Sequence, residues 1–247
     1  MKTIAMIPAR YEASRFPGKL MMPLGDAPVI VQTYRATVAT GLFEDVYVVT
    51  DSDVIFNTIC EVGGKAIMSK TDHQSGSDRI AEAVFDMDVD LVVNVQGDEP
   101  FTEKKSLAKL IASFDADTNR EIDLASLMVR ITDSEEIHNP NTVKVVTDTN
   151  GRAIYFSRHP IPFSREKTPS VQFFKHKGVY AFRKKALLDF QKLSPKSLEL
   201  AEKIECLRFL EYGKNIQMVE TDVLGVEIDT PEDLVTAQNL WPNKRSN

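Results

Sequence analysis

Apolar positions along the first half of the chain follow two alternating rhythms. Almost unbroken apolar runs stand at "KTIAMIPA" (2–9), "DVYVVTD" (45–51), "KAIMS" (65–69) and "DLVVNVQ" (90–96). Between them lie amphipathic stretches: "APVIVQTYRATVAT" (27–40), "DVIFNTICEVGG" (53–64), "SDRIAEAVFDM" (77–87) and "EKKSLAKLIASF" (103–114). The runs predict buried strands and the stretches predict helices. Ile30, Tyr34 and Val38 share one face of the first helix. Gly63 and Gly64 stop the second, and Ser77 or Asp78 caps the third. Near-continuous apolar strands separated by helices imply a parallel sheet covered on both faces.

The rhythm changes after about residue 120. "IDLASLMVRI" (122–131), "TVKVVTDTNGRAIYFSR" (142–158) and "FFKHKGVYAFR" (173–183) predict strands, several of them antiparallel, with "DTNG" as a hairpin turn. Helices are expected at 184–193 and over the whole of "LELAEKIECLRFLEYG" (198–213), then a strand at "IQMVET" (216–221). Thr230, with Pro231 and Asp233 after it, starts a last helix. The expected fold class is α/β, a Rossmann-like mixed but mainly parallel sheet with helices on both faces. It forms a single domain over 1–247, with a nucleotide-binding half at 1–120 and a mixed half at 121–247.

Charge and cysteine content narrow the function. Thirty basic and 36 acidic side chains give a net charge of −6. That disfavours nucleic acid as a partner, while an anionic small substrate needs only a local basic pocket. The two cysteines, Cys60 and Cys206, form no disulfide framework and no C-x-x-C pair. No apolar stretch approaches a membrane span. The run Ile4–Ile7, closed by Pro8 and Arg10, is too short for a signal-peptide core. The expectation is a cytoplasmic protein with no membrane partner.

Candidate chemistry gathers after the strands, where open α/β sheets bind ligands. "MIPARYEASRFPGK" (6–19) places Arg10, Arg15 and Lys19 on one loop shaped by Pro17 and Gly18. Three converging cations suit a polyphosphate. The spacing is neither a Walker A loop nor a dinucleotide fingerprint. "VQGDEP" puts Asp98 and Glu99 after a buried strand, and "EIDTPEDL" puts Asp229 ahead of a helix. Asp98 and Asp229 are the natural pair to share magnesium if the fold brings them together. "DHQSGSDR" (72–79), with Ser75 and Arg79, is a second glycine-bearing loop suited to a nucleobase or ribose, or else a plain helix cap with Arg79 on a solvated face.

Seven segments in order carry a resemblance: "IPARYEASRFPGK", "DHQSGSDRIAEA", "VNVQGDEPF", "YFSRHPIPF", "KHKGVYAFRKKAL", "EKIECLRFLEYG" and "GVEIDTPEDL". Together they resemble the 3-deoxy-manno-octulosonate (Kdo) cytidylyltransferase family over residues 3 to about 240. The resemblance implies the nucleotide-diphospho-sugar transferase fold, a homodimer, and the Mg2+-dependent reaction of CTP with Kdo to CMP-Kdo and pyrophosphate, for lipopolysaccharide biosynthesis. By motif, Arg10, Arg15 and Lys19 hold the triphosphate, and Lys19 also meets charge developing at phosphorus. Ser75 and Arg79 contact the cytidine. Gln96 bridges nucleotide and sugar, and Asp98 and Asp229 bind the metal. Arg158, His176, Tyr180 and Glu205 line the sugar pocket, with the sugar's carboxylate expected on Arg158.

The chain departs from the family pattern at Cys206, where many members carry glutamine. Kdo and an 8-amino variant therefore both stand as sugars. A metal-dependent glycosyltransferase is the rival enzyme class, because "DSD" (51–53) fits an Asp-x-Asp metal motif.

Overall fold

The computed structural model describes residues 1–12, 16–70, 73, 75–165, 171–222 and 225–244. Its contacts divide the chain into two units, 1–107 with 224–247, and 108–223. The C-terminal segment therefore packs with the first half of the chain rather than with residues 121–223, where the sequence reading had grouped it.

The first unit starts with β1 (Thr3–Ala9), a short hairpin of β2 (Pro23–Leu24) and β3 (Ala27–Pro28), and α1 (Val29–Ala39). There follow β4 (Val46–Thr50), α2 (Asp53–Glu61), β5 (Lys65–Met68), α3 (Gly76–Val84) and β6 (Leu91–Asn94). Helix α4 (Lys104–Ala116) leads out of the unit. β6, β1, β4 and β5 pair in that order and all in parallel. Residues 3–7 of β1 are all buried. Successive side chains on a strand point to opposite faces, so both faces of β1 are covered.

The expected face of helix α1 is buried at Ile30 but not at its far end. Val38 is exposed, while Thr33 and Thr37 are buried. Their hydroxyls make this possible. Thr33 Oγ1 donates to the carbonyls of Val29 (3.1 Å) and Gly97 (2.8 Å), and Thr37 Oγ1 to that of Thr33 (2.8 Å). Helix α3 is capped by Ser75, two residues before Ser77: its Oγ accepts from the Asp78 N–H (3.2 Å) and donates to Asp78 Oδ2 (2.8 Å). The last helix, α9 (Pro231–Lys244), starts as expected. The Thr230 N–H donates to Asp233 Oδ2 (2.8 Å) and the Asp233 N–H to Thr230 Oγ1 (3.2 Å).

The second unit is built on β7 (Leu124–Arg130). Helix α5 (Ser134–His138) precedes the hairpin of β8 (Lys144–Thr147) and β9 (Ala153–Ser157), whose "DTNG" turn has Gly151 at φ +77°. β10 (Phe174–Arg183) runs antiparallel to both β7 and β8, with an irregularity in its β7 pairing between Lys177 and Tyr180. Helices α6 (Lys184–Phe190), α7 (Ser197–Glu202) and α8 (Cys206–Glu211) follow, and β11 (Ile216–Glu220) returns parallel to β7. Phe190 stacks on Phe209 at 4.5 Å, and Arg208 lies over the Phe190 ring while gripping Glu199 with two 2.6 Å bonds.

The single helix expected over 198–213 is two helices. Lys203 adopts the left-handed conformation (φ 54°) and ends α7. The carbonyls freed there are taken by Arg158, whose Nε donates to Glu202 O (2.7 Å) and Nη2 to Lys203 O (3.3 Å).

Candidate active site

In the first unit, parallel strands deliver their C-terminal ends to one edge. Arg10 follows β1, Asp51 follows β4, and Gln96, Gly97 and Asp98 follow β6. The β1 and β6 exits approach so closely that a Cβ on Gly97 would stand 3.1 Å from the Pro8 carbonyl oxygen. A side chain there would press on the Pro8 carbonyl, so glycine lets the two backbones approach without displacement. Gly18 turns the opening loop at φ +71°, with its N–H on the Tyr11 carbonyl (2.9 Å), and sets Lys19 at the start of a short 3-10 turn.

A cleft of about 280 Å3 opens at this edge, lined among others by Arg10, Lys19, Gln96, Asp98 and Asp229. Lys19 Nζ lies 2.5 Å from Asp98 Oδ2 and 2.9 Å from Asp229 Oδ1. Asp98 and Asp229 are 131 positions apart in sequence, yet the fold brings them together. The Ile228 N–H donates to the Asp98 carbonyl (3.0 Å), which ties the 225–229 segment to the turn after β6. Burial alone would push the Lys19 ammonium down. Asp98 and Asp229 outweigh it and hold Lys19 above its ordinary value, so it is protonated.

Beside Asp98 and Asp229 stands a carboxylate that the sequence reading missed, Glu227. Carboxylate oxygens of Asp98, Glu227 and Asp229 all lie within 4.8 Å of one another. Asp98 Oδ1 is buried without a hydrogen-bond partner among the described residues. Glu227 keeps an open face, but the protein packed around its carboxyl, then Asp98, Glu99 and Asp229, push it up to about 8 against the pull of Lys19. Its signal was the alternation Glu227-Ile228-Asp229. Ile228 is fully buried, so on extended backbone the acids on either side turn the other way together. Three hard oxygen ligands, one with an orphaned oxygen, fit a divalent cation of the magnesium type.

Around the cleft the candidate nucleotide residues differ in role. Arg10 donates to the His73 carbonyl, and the His73 ring pairs with Glu82. Gln96 Nε2 donates to Asn94 Oδ1 (3.1 Å). Ser75 caps α3. Arg79 is not on a solvated face. It is buried beneath the β1 exit, with Nη1 on the Ala9 carbonyl (2.7 Å) and Nη2 paired to Asp51. Arg15 lies outside the described residues. The "DSD" tripeptide divides among other tasks: Asp51 pairs with Arg79, Ser52 caps α2 and Asp53 stands in its first turn.

Of the candidate sugar residues, Gln96 belongs to the first unit and Arg158, His176, Tyr180 and Glu205 to the second. His176 packs edge-on to Phe156 at 5.1 Å and lies 5.4 Å from the Tyr180 ring. Burial pushes its imidazole down to about 4, so the ring is neutral at pH 7. The Cys206 thiol beside Glu205 is buried. That burial, then the Glu205 charge, raise it far above the ordinary range against a hydrogen bond with Tyr180. It is a packed S–H, not a reactive thiolate. Arg158 is anchored on backbone. Besides the α7 carbonyls, its Nη1 donates to Pro140 O (2.9 Å), so three of its donors hold backbone. Buried Lys144 ties the same residue down, donating to the carbonyls of Asn139 (2.9 Å), Thr142 (2.6 Å) and Arg158.

A cytidylyltransferase family model matches residues 4–216. The chain is 60% identical to the 3-deoxy-manno-octulosonate cytidylyltransferase of Flavobacterium johnsoniae, over 97% of this chain and 98% of that one. The chain belongs to the 3-deoxy-manno-octulosonate cytidylyltransferase family. A relative from Shewanella halifaxensis, named 8-amino-3,8-dideoxy-manno-octulosonate cytidylyltransferase, is 43% identical over 95% of this chain and 96% of its own. A solved structure of CMP:2-keto-3-deoxy-manno-octonic acid synthetase complexed with CTP superposes with a TM-score of 0.93 at 34% identity. It covers 99% of this chain and 100% of that one. The α/β nucleotidyltransferase fold of this cytidylyltransferase is thus the expected one.

Proposed function

We propose that this chain transfers the cytidylyl group of CTP to Kdo, releasing pyrophosphate. The observation that carries this is the Lys19–Asp98–Asp229 cluster in the β1/β6 cleft. It stands in a chain that matches Kdo cytidylyltransferases over nearly its whole length. The anomeric hydroxyl of the sugar forms the new P–O bond at the α-phosphorus. The bond from the α-phosphorus to the bridging oxygen breaks, the hydroxyl proton leaves to solvent, and pyrophosphate departs.

Positioning and charge neutralisation carry most of such a reaction. Lys19, Arg10 and Arg15 hold the triphosphate, and Lys19 meets the charge that develops at phosphorus. Asp98 and Asp229 hold Mg2+, with Glu227 beside them. The ion offsets triphosphate charge when bound. Arg79 acts on the nucleotide through the β1 exit that it braces, Ser75 through the first turn of α3, and Gln96, which lines the β1/β6 cleft, bridges nucleotide and sugar. His176, Tyr180 and Glu205 take the sugar, and Arg158 shapes the backbone beside them.

Kdo is preferred to its 8-amino analogue because the relative at 60% identity carries the Kdo name and the 8-amino relative stands at 43%. The chain acts as a homodimer in the cytoplasm, supplying lipopolysaccharide biosynthesis. Among the described residues no helix is long and apolar enough to cross a membrane.

The test is pyrophosphate release with Mg2+ and CTP against Kdo, 8-amino-Kdo and N-acetylneuraminate, with ATP and UTP as controls. Release with CTP and Kdo alone is expected. Release only with another sugar overturns the substrate, and no release with any pair overturns the activity.

A further inference from the structure

Ser126 is an unremarked serine on β7, fully buried, with Tyr180 as its register partner across the β10 irregularity. Its Oγ lies 2.8 Å from the Val179 carbonyl oxygen, 3.1 Å from the Lys177 carbonyl oxygen and 2.9 Å from His176 Nε2. A hydroxyl has one proton, and a carbonyl oxygen only accepts. Two oxygens at 2.8 Å require that proton between them, so Ser126 donates towards Val179. Towards His176 it can then only accept. If Nε2 carried its lone pair, the 2.9 Å contact would set two acceptors face to face.

We infer that Ser126 holds His176 as its Nε2–H tautomer, so that the imidazole meets the acid sugar through Nδ1, as a hydrogen-bond acceptor for a sugar hydroxyl. The inference rests on the placement of the sugar at His176 proposed above. Among the described residues Nδ1 has no hydrogen-bond partner, and the ring lies edge-on to Phe156 and tilted against Tyr180. A neutral ring offering a lone pair repels a carboxylate and attracts an O–H. Burial, which keeps the ring unprotonated, acts in the same direction. Ser126 is a positioning residue: it fixes which edge of the histidine is acceptor, and with it which group of the sugar the histidine selects.

Histidine-labelled 15N spectra of the full chain at pH 7.5 test this, with His176→Gln assigning the resonance. The expected spectrum has Nε2 protonated and Nδ1 bare. An Nδ1–H tautomer or an imidazolium overturns the inference whatever the enzyme's substrate. Ser126→Ala should populate both tautomers and raise the KM for Kdo roughly 3- to 10-fold with kcat within about twofold. Ser126→Thr, which keeps the hydroxyl, should retain the single tautomer. Retention of the single tautomer in Ser126→Ala overturns the serine's role. With Kdo and the α,β-methylene analogue of CTP, Nδ1 should shift upfield while Nε2 keeps its proton. Conversion to imidazolium would mean pairing with the carboxylate and overturns the acceptor role. An unmoved resonance in a protein that turns over CTP and Kdo removes the histidine from the sugar but leaves the activity standing. Failure of pyrophosphate release with Kdo overturns the activity itself.

Discussion

The buried guanidinium of Arg79, on α3, donates to the carbonyl of Ala9, the last residue of β1, at 2.7 Å. Its other arm pairs with Asp51 just past β4. Burial would raise the Asp51 carboxyl, but the Arg79 bonds and charge outweigh this and hold it below the usual carboxylate range. One side chain therefore braces two strand exits at the C-terminal edge of the parallel strands. Arg79→Met should lower stability by about 3 kcal/mol, because it leaves Asp51 unpaired and a carbonyl bare. It should also raise the KM for CTP through the displaced Arg10. Urea unfolding and steady-state kinetics on the same preparation check both. A destabilised variant with an unchanged KM for CTP would confine Arg79 to the core.

Glu82 controls the neighbouring loop. One carboxylate oxygen accepts from the Lys70 N–H (2.8 Å), and the other pairs with the His73 ring, whose own carbonyl accepts from Arg10. Glu82→Gln keeps the shape but weakens both holds. The expected result is a KM for CTP raised roughly 3- to 10-fold, with kcat within about twofold and stability changed by about 1 kcal/mol or less. Initial rates over a CTP series separate this from a loss confined to kcat, which would place Glu82 in the chemistry instead.

In the cleft, Lys19→Ala should cut kcat by about 100- to 1,000-fold, the usual cost of removing one group that meets developing charge. Asp98→Asn should weaken metal binding and turnover by about 100-fold or more, and Glu227→Gln metal binding by about tenfold. Titration calorimetry with Mn2+ in the presence of CTP reads metal affinity without turnover. Unchanged affinity in Asp98→Asn would separate that carboxylate from the metal.

Much of this was legible in the residues. β1, β4 and β6 declared themselves as apolar runs because nearly all their residues are buried, on both faces of the sheet. The Thr230–Asp233 capping box is a local device, complete within four residues. What stayed hidden depends on partners distant in sequence. Nothing in "LELAEKIECLRFLEYG" says that Arg158, 45 residues before Lys203, takes the carbonyls at the end of α7 and lets the helix stop there. Arg79 reads as a surface cation until Ala9 and Asp51 are beside it. Glu227 was the avoidable miss, since its i, i+2 relation to Asp229 across a buried isoleucine was written in the chain.

His176 makes stability depend on pH below neutrality. Its ring, closed in by Phe156 and Tyr180 and held by Ser126, is pushed down to about 4 by burial. In the unfolded chain a histidine titrates near about 6.5. Between these values the unfolded chain binds a proton that the folded chain refuses. This contribution is therefore neutral above about pH 6.5 and costs stability progressively as pH falls towards 4, by about 3 kcal/mol in full. His176→Gln removes the titrating group. Urea unfolding at pH 7.5, 6 and 5 should show the wild-type chain losing stability relative to the variant as pH falls, with a slope difference approaching about 1.4 kcal/mol per pH unit near pH 5, midway between the two values. Parallel curves would mean that the ring charges freely in the folded protein.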